Sequence, residues 1–150
     1  MQEQMGILAN GQRATNAAGS FRTQLHWQKA QALASEVVRM VRQLPHDRST
    51  DTIGNQLVRS AGSVAANIAE GYGRFSQAAY RNHLSIARGS AFETESWLDL
   101  LIRTGCVAES VARPLVEDCI EVQKLLTFRM KGLPRGQTYA IKEEGAQYEA

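Results

Sequence analysis

The chain has 150 residues, of which 43% are hydrophobic and 21% charged, with a formal net charge of +2. That length fits one domain able to bury a core without staples. The composition excludes a disordered chain, and the charge is too small to argue for nucleic acid by itself.

Residues 1–23 are poor in large apolar groups and carry Gly6, Gly11 and Gly19, so they cannot offset their ordering entropy and read as a flexible arm. Met1 to Ser20 has neither the basic start nor the apolar core of a secretory signal. A cytoplasmic protein is expected. No run of about 18 apolar residues appears anywhere, so no membrane contact is expected.

Residues 24–133 hold four segments of helical period. In the first, Ala30, Leu33, Ala34, Val37, Met40, Val41 and Leu44 share a face that Pro45 ends. Asp51 or a neighbouring Ser or Thr is expected to cap the second, whose face is Ile53, Leu57, Ala61, Val64 and Ile68. Gly71 would close it with a left-handed cap. The third starts near Ser76, turns Tyr80, Leu84, Ala87, Ala91, Leu98 and Ile102 inward, and stops before Gly105. The fourth begins near Ala108, tolerates Pro114 in its first two turns, and buries Leu115, Cys119, Val122, Leu126 and Met130. Connections of roughly four to seven residues imply antiparallel neighbours. The expected fold is all-α: an up-down-up-down four-helix bundle. Residues 134–150, with Gly136, Gly145 and the Lys142-Glu143-Glu144 cluster, read as a second flexible tail.

Some features exceed what a monomer needs. On the third helix Ala79, Ile86, Trp97 and Leu100 lie opposite the Leu84 face, either as scattered surface hydrophobes or as a self-association surface anchored by Trp97. Gly89 sits near that stripe in a helix interior, where Gly costs roughly 1 kcal/mol relative to Ala; close approach of another backbone would explain it. The second helix is rich in small residues and carries Arg59, Ser63, Asn67 and Glu70, which read as capping and solvated pairs or as a polar network across an interface. Arg74, Arg81 and Arg88 recur every seven residues, and no acidic residue lies between Gly71 and Phe92. Glu95 continues the row. These arginines either pair structurally or, repeated around an oligomer, collect phosphates of RNA or DNA.

Chemistry of other kinds finds little support. Cys106 and Cys119 have neither metal-type nor redox-type spacing and read as free thiols. His26, His46 and His83 share no ligand spacing, so no metal or other cofactor is expected. Gly71-Tyr72-Gly73-Arg74 follows a helix and lacks the lysine of a phosphate loop. Glu93 and Glu95 project about 200° apart and form no carboxylate pair on one helix face. Ser63 and Ser90 have no evident histidine in register. The chain does not read as an enzyme.

Several strings together resemble a known family. They are Leu25-x-Trp27-Gln28-Lys29-Ala30, Gln56-Leu57-x-Arg59-Ser60-Ala61, Asn67-Ile68-Ala69-Glu70-Gly71-x-Gly73-Arg74, Ala87-x-Gly89-Ser90 and Glu93-x-Glu95. In this order they resemble the four-helix bundle proteins encoded in intervening sequences of bacterial 23S ribosomal RNA genes, over Leu25 to Leu133. The resemblance implies a ring-like homopentamer without known catalytic activity. It also implies patterned polar positions at Arg59, Asn67, Glu70, Arg74, Gly89, Ser90, Glu93 and Glu95. The architecture is similar to the accessory variability protein of diversity-generating retroelements, which is associated with a reverse transcriptase and nucleic acid. One departure is Val58, where the family pattern suggests a basic residue. Two functions follow as expectations: a homo-oligomeric adaptor for nucleic acid or a nucleic-acid enzyme, or a scaffold that binds only protein, with Arg59, Glu70, Arg88 and Glu95 as intersubunit pairs.

Overall fold

In the computed structural model, which describes residues 20–133, each periodic run is a helix. A 3-10 turn, Phe21–Thr23, leads into α1 (Leu25–Val41), followed by α2 (Arg48–Tyr72), α3 (Gln77–Arg103) and α4 (Glu109–Lys131). No strand occurs among the described residues. The expected arm up to Gly19 and the tail from Pro134 lie outside them. Each helix packs on its chain neighbours and α4 closes on α1, which makes the antiparallel four-helix bundle.

The core is the set of stripes along the inner faces. Leu33, Val37, Leu57, Val64, Ile68, Leu84, Leu98, Leu101, Val122 and Leu126 are almost wholly removed from solvent. Burying such a side chain contributes roughly 1.5–3 kcal/mol relative to leaving it exposed. Leu101, rather than Ile102, fills the last inward position of α3, while Ile102 packs half-buried at the margin. The buried arc of that helix runs through Thr94, Leu98 and Leu101, so its end points one residue earlier than a count from Leu84 suggests.

Two helix ends differ from expectation. The cap of α2 is Asp47, four residues before Asp51. Its carboxylate accepts from the Thr50 N–H at 2.9 Å and from the Thr50 hydroxyl at 2.8 Å, and Ser49 donates at 2.8 Å. The Thr50 N–H, followed by the Ser49 and Thr50 hydroxyls, holds the Asp47 carboxyl down at about 2. Gly71 does not end α2 with a left-handed cap but lies inside it, buried, and Gly73 follows the last turn with an ordinary φ of −76°. Among the described residues only Gly105, after α3, has positive φ, at 71°. The small residue at 71 serves packing: a Cβ there would stand 2.6 Å from the His83 Cβ and 3.0 Å from Tyr80 Cδ2. Small residues on α2 and α3 (Ala61, Ala65, Gly71, Ala87, Ala91) bring these two helices into the most extensive contact of the bundle.

Candidate interaction surfaces

Helix α3 has two flanks, and the polar residues expected to matter divide between them. Toward α2, a continuous row of side chains follows the seam. Gln56 accepts from Arg59 Nε at 3.0 Å, and Arg59 forms an ion pair with Glu93, which also accepts from the Trp97 indole at 3.2 Å. One turn on, the hydroxyls of Ser63 and Ser90 meet at 3.0 Å. Asn67 donates to the Ser63 carbonyl at 2.9 Å and to its hydroxyl at 3.0 Å, and its own carbonyl oxygen lies 3.3 Å from His83 Nδ1. Glu70 ends the row, accepting from Arg74 at 2.7 Å, with His83 Nδ1 3.9 Å away. Below this row, buried Thr94 donates to the Ser60 hydroxyl at 3.0 Å and the Ser90 carbonyl at 2.8 Å.

Arg59, Ser63, Asn67, Glu70, Arg74, Ser90 and Glu93, named from sequence, therefore fall along one seam in two linked groups, Arg59 with Glu93 and Ser63, Asn67, Glu70 and Arg74 with Ser90. Chemically the set holds two helices in register. Asn67 separates His83 from both serines, and an amide is no general base. His83, which joins the row by its position one turn below Ala87, carries no sequence signal that would have assigned it there.

Toward α4, the heptad row continues with different partners. Arg81 donates to the Met130 carbonyl at the end of α4, Arg88 Nε donates to Thr127 Oγ1 at 2.8 Å, and Glu95 accepts from Gln123 at 2.6 Å. Arg74, outside both helices, belongs to the α2 seam instead. The three arginines thus do not share one surface.

The apolar stripe of α3 also sits differently from the expected back-to-core arrangement. Leu84 lies at one edge of the buried arc; from the arc's centre, Ala79 and Trp97 fall roughly a quarter turn aside, against α2. Trp97 is half-buried and packs on the bundle's own core, whereas Ile86 remains 45% exposed, Gly89 is exposed and Leu100 is half-buried. What is bare is the outer surface itself. Every exposed residue of α3 from Gln77 to Ser96 is uncharged, and Gly62 and Ala66 of α2 are exposed as well. A Cβ built on Gly62 or Gly89 would meet nothing within 4 Å.

The sequence pattern described as 23S rRNA-intervening sequence protein matches residues 22–128. The chain belongs to that family. A solved structure from Bacteroides thetaiotaomicron, a protein of unknown function from the S23 ribosomal protein family, is similar: 33% identical, covering 71% of this chain and 99% of its own, with a TM-score of 0.67. No curated protein matches the chain. The family region spans all four helices up to the fourth-last residue of α4 and contains the whole α2–α3 row. Among the described residues no helix is long and apolar enough to cross a membrane, and no cluster of His, Cys, Asp and Glu is placed to hold a metal ion.

Proposed function

We propose that this protein is a non-enzymatic adaptor that assembles with copies of itself through the outer face of α2 and α3, and that the assembly engages nucleic acid or a nucleic-acid enzyme. The observation that carries the first part is the open Gly89 on the stretch of α3 from Gln77 to Ser96, whose exposed residues are all uncharged. Gly89 lies inside a long helix with no neighbour to accommodate, as does Gly62 of α2. Each costs the isolated chain roughly 1 kcal/mol relative to Ala. A second backbone seated at Gly89 offsets that cost there, and the lack of exposed charged residues on α3 between Gln77 and Ser96 lowers the desolvation that would oppose contact. The ring of five copies is the arrangement that family resemblance suggests.

The second part rests on the basic residues of α3 and α4 and on their multiplication by copy number. A protein-only scaffold is the competing reading, favoured by the partners Glu70, Met130 and Thr127 that Arg74, Arg81 and Arg88 already have. Mobility-shift titration across salt separates them. The adaptor binds at low salt and loses affinity steeply as salt rises; no binding at low salt leaves the scaffold.

A further inference from the structure

We propose that the groove between α3 and α4 is a binding site for single-stranded nucleic acid, with phosphates held by Arg88, Lys124 and Lys131 and a base stacked on Phe128. This rests on the nucleic-acid part of the adaptor reading and is independent of self-assembly.

The groove encloses about 280 Å³ and is lined by Arg88, Phe92, Gln123, Lys124, Phe128 and Lys131 among others, none of them acidic. Phe128 is 79% exposed and Phe92 is 45% exposed. Single apolar residues on a surface are ordinary. Two phenyl rings beside three cations are a more specific arrangement, because cations alone match phosphate and exposed rings alone match apolar surface. A strand of unpaired nucleotides presents both phosphates and free base faces.

Each cation retains capacity for a ligand. Arg88 donates Nε to Thr127 at 2.8 Å and has its Cζ 4.9 Å from the Phe92 centroid. Its remaining N–H groups are spare by the donor count of a guanidinium. Lys124 and Lys131 are exposed and form no ion pair among the described residues. Arg81, by contrast, is committed to the end of α4 through the Met130 carbonyl and is not part of the site. The rings decide the form of the ligand: bases inside a duplex are already stacked and offer Phe128 no face, while unpaired bases do.

The test is fluorescence anisotropy of the full chain with labelled oligo(dT), oligo(U) and a blunt duplex, for wild type, Phe128→Ala, Phe128→Trp, the Lys124→Glu/Lys131→Glu pair, and Arg42→Glu. Arg42 lies just past α1, at the opposite end of the bundle from Lys131, and controls for a single charge reversal away from the groove. Because Arg42, Lys124, Phe128 and Lys131 are all exposed, circular dichroism should report the same helical fold for all variants. Both oligonucleotides should bind in preference to the duplex, with a log–log salt slope near roughly −2 for three phosphate contacts. Phe128→Ala should weaken binding roughly fivefold or more, Phe128→Trp should retain it, and the lysine pair should weaken it further. Arg42→Glu should change it by less than the lysine pair does. Binding that Phe128→Ala and the lysine pair leave intact overturns the groove while the adaptor reading stands. Equal binding of the duplex overturns the stacking, and no binding of any probe overturns both the groove and the nucleic-acid reading.

Discussion

Gly71 of α2 lies directly beneath His83 of α3, so close that a methyl group on Gly71 would stand 2.6 Å from the His83 Cβ. This is the tight end of the α2–α3 seam. Along the same seam the helices carry a polar row that an isolated bundle satisfies within itself, yet their outer surface carries open glycines.

Two alanine substitutions should therefore act in opposite directions. Gly71→Ala forces the His83 and Tyr80 backbones outward and should destabilise the fold by about 1–3 kcal/mol. Gly62→Ala meets nothing within 4 Å and should stabilise the isolated chain by roughly 0.5–1 kcal/mol. Urea unfolding at dilute concentration measures both. Equal effects at the two positions would contradict the close-approach account.

Acid should weaken the fold in two separable steps. His26 is buried, and its Nε2 lies 3.1 Å from the Tyr80 hydroxyl, which donates to Gln24 at 2.8 Å. Burial, with a smaller contribution from the Arg129 charge, lowers its pKa from 6.5 to about 4. Between these values the unfolded chain binds a proton that the folded chain does not, so stability falls as pH drops through that window. The expected loss is about 1–2 kcal/mol, below the full linkage value because part of the ring stays near solvent. Asp47 acts lower, its contribution present above 3.8 and lost as pH falls toward about 2. Chemical denaturation from pH 7 to 4 should show the first step in wild type and a flattened profile in His26→Gln; identical profiles would refute the assignment.

The two thiols should differ in reactivity. Burial, reinforced by the Glu95 and Asp118 charges, pushes the Cys119 thiol up to about 12, leaving almost no thiolate at neutral pH. Cys106 is only half-buried. Iodoacetamide followed by peptide mass spectrometry should therefore label Cys106 in the native protein and Cys119 only after unfolding. Comparable native labelling would contradict the packed core around Cys119.

The bundle was legible in the sequence because its signal is a period, and periods survive without knowledge of neighbours. The heptad row Arg81, Arg88 and Glu95 was legible for the same reason, and all three do face α4. Their partners were not, since Met130, Thr127 and Gln123 become adjacent only when α4 runs antiparallel to α3. Gly71 resembled a helix stop because glycine serves ends and close contacts equally, and only the position of His83 distinguishes them. Trp97 illustrates a different loss. Leu84 stands at one edge of the buried arc, so a side chain opposite it falls on the α2 flank rather than on the outer face. Lys124 and Phe128 stood out in no pattern of their own; they gain meaning beside Arg88 and Phe92.

Self-assembly through the α2–α3 face is most directly tested by sedimentation equilibrium of wild type against Gly89→Arg. The added side chain meets only open space in the single chain and favours helix over glycine, so the fold should persist. At micromolar concentration wild type should sediment at several times the chain mass of 16.5 kDa, and Gly89→Arg should shift toward 16.5 kDa with unchanged helicity. Wild type sedimenting as a single chain, or Gly89→Arg sedimenting as wild type does, would contradict it.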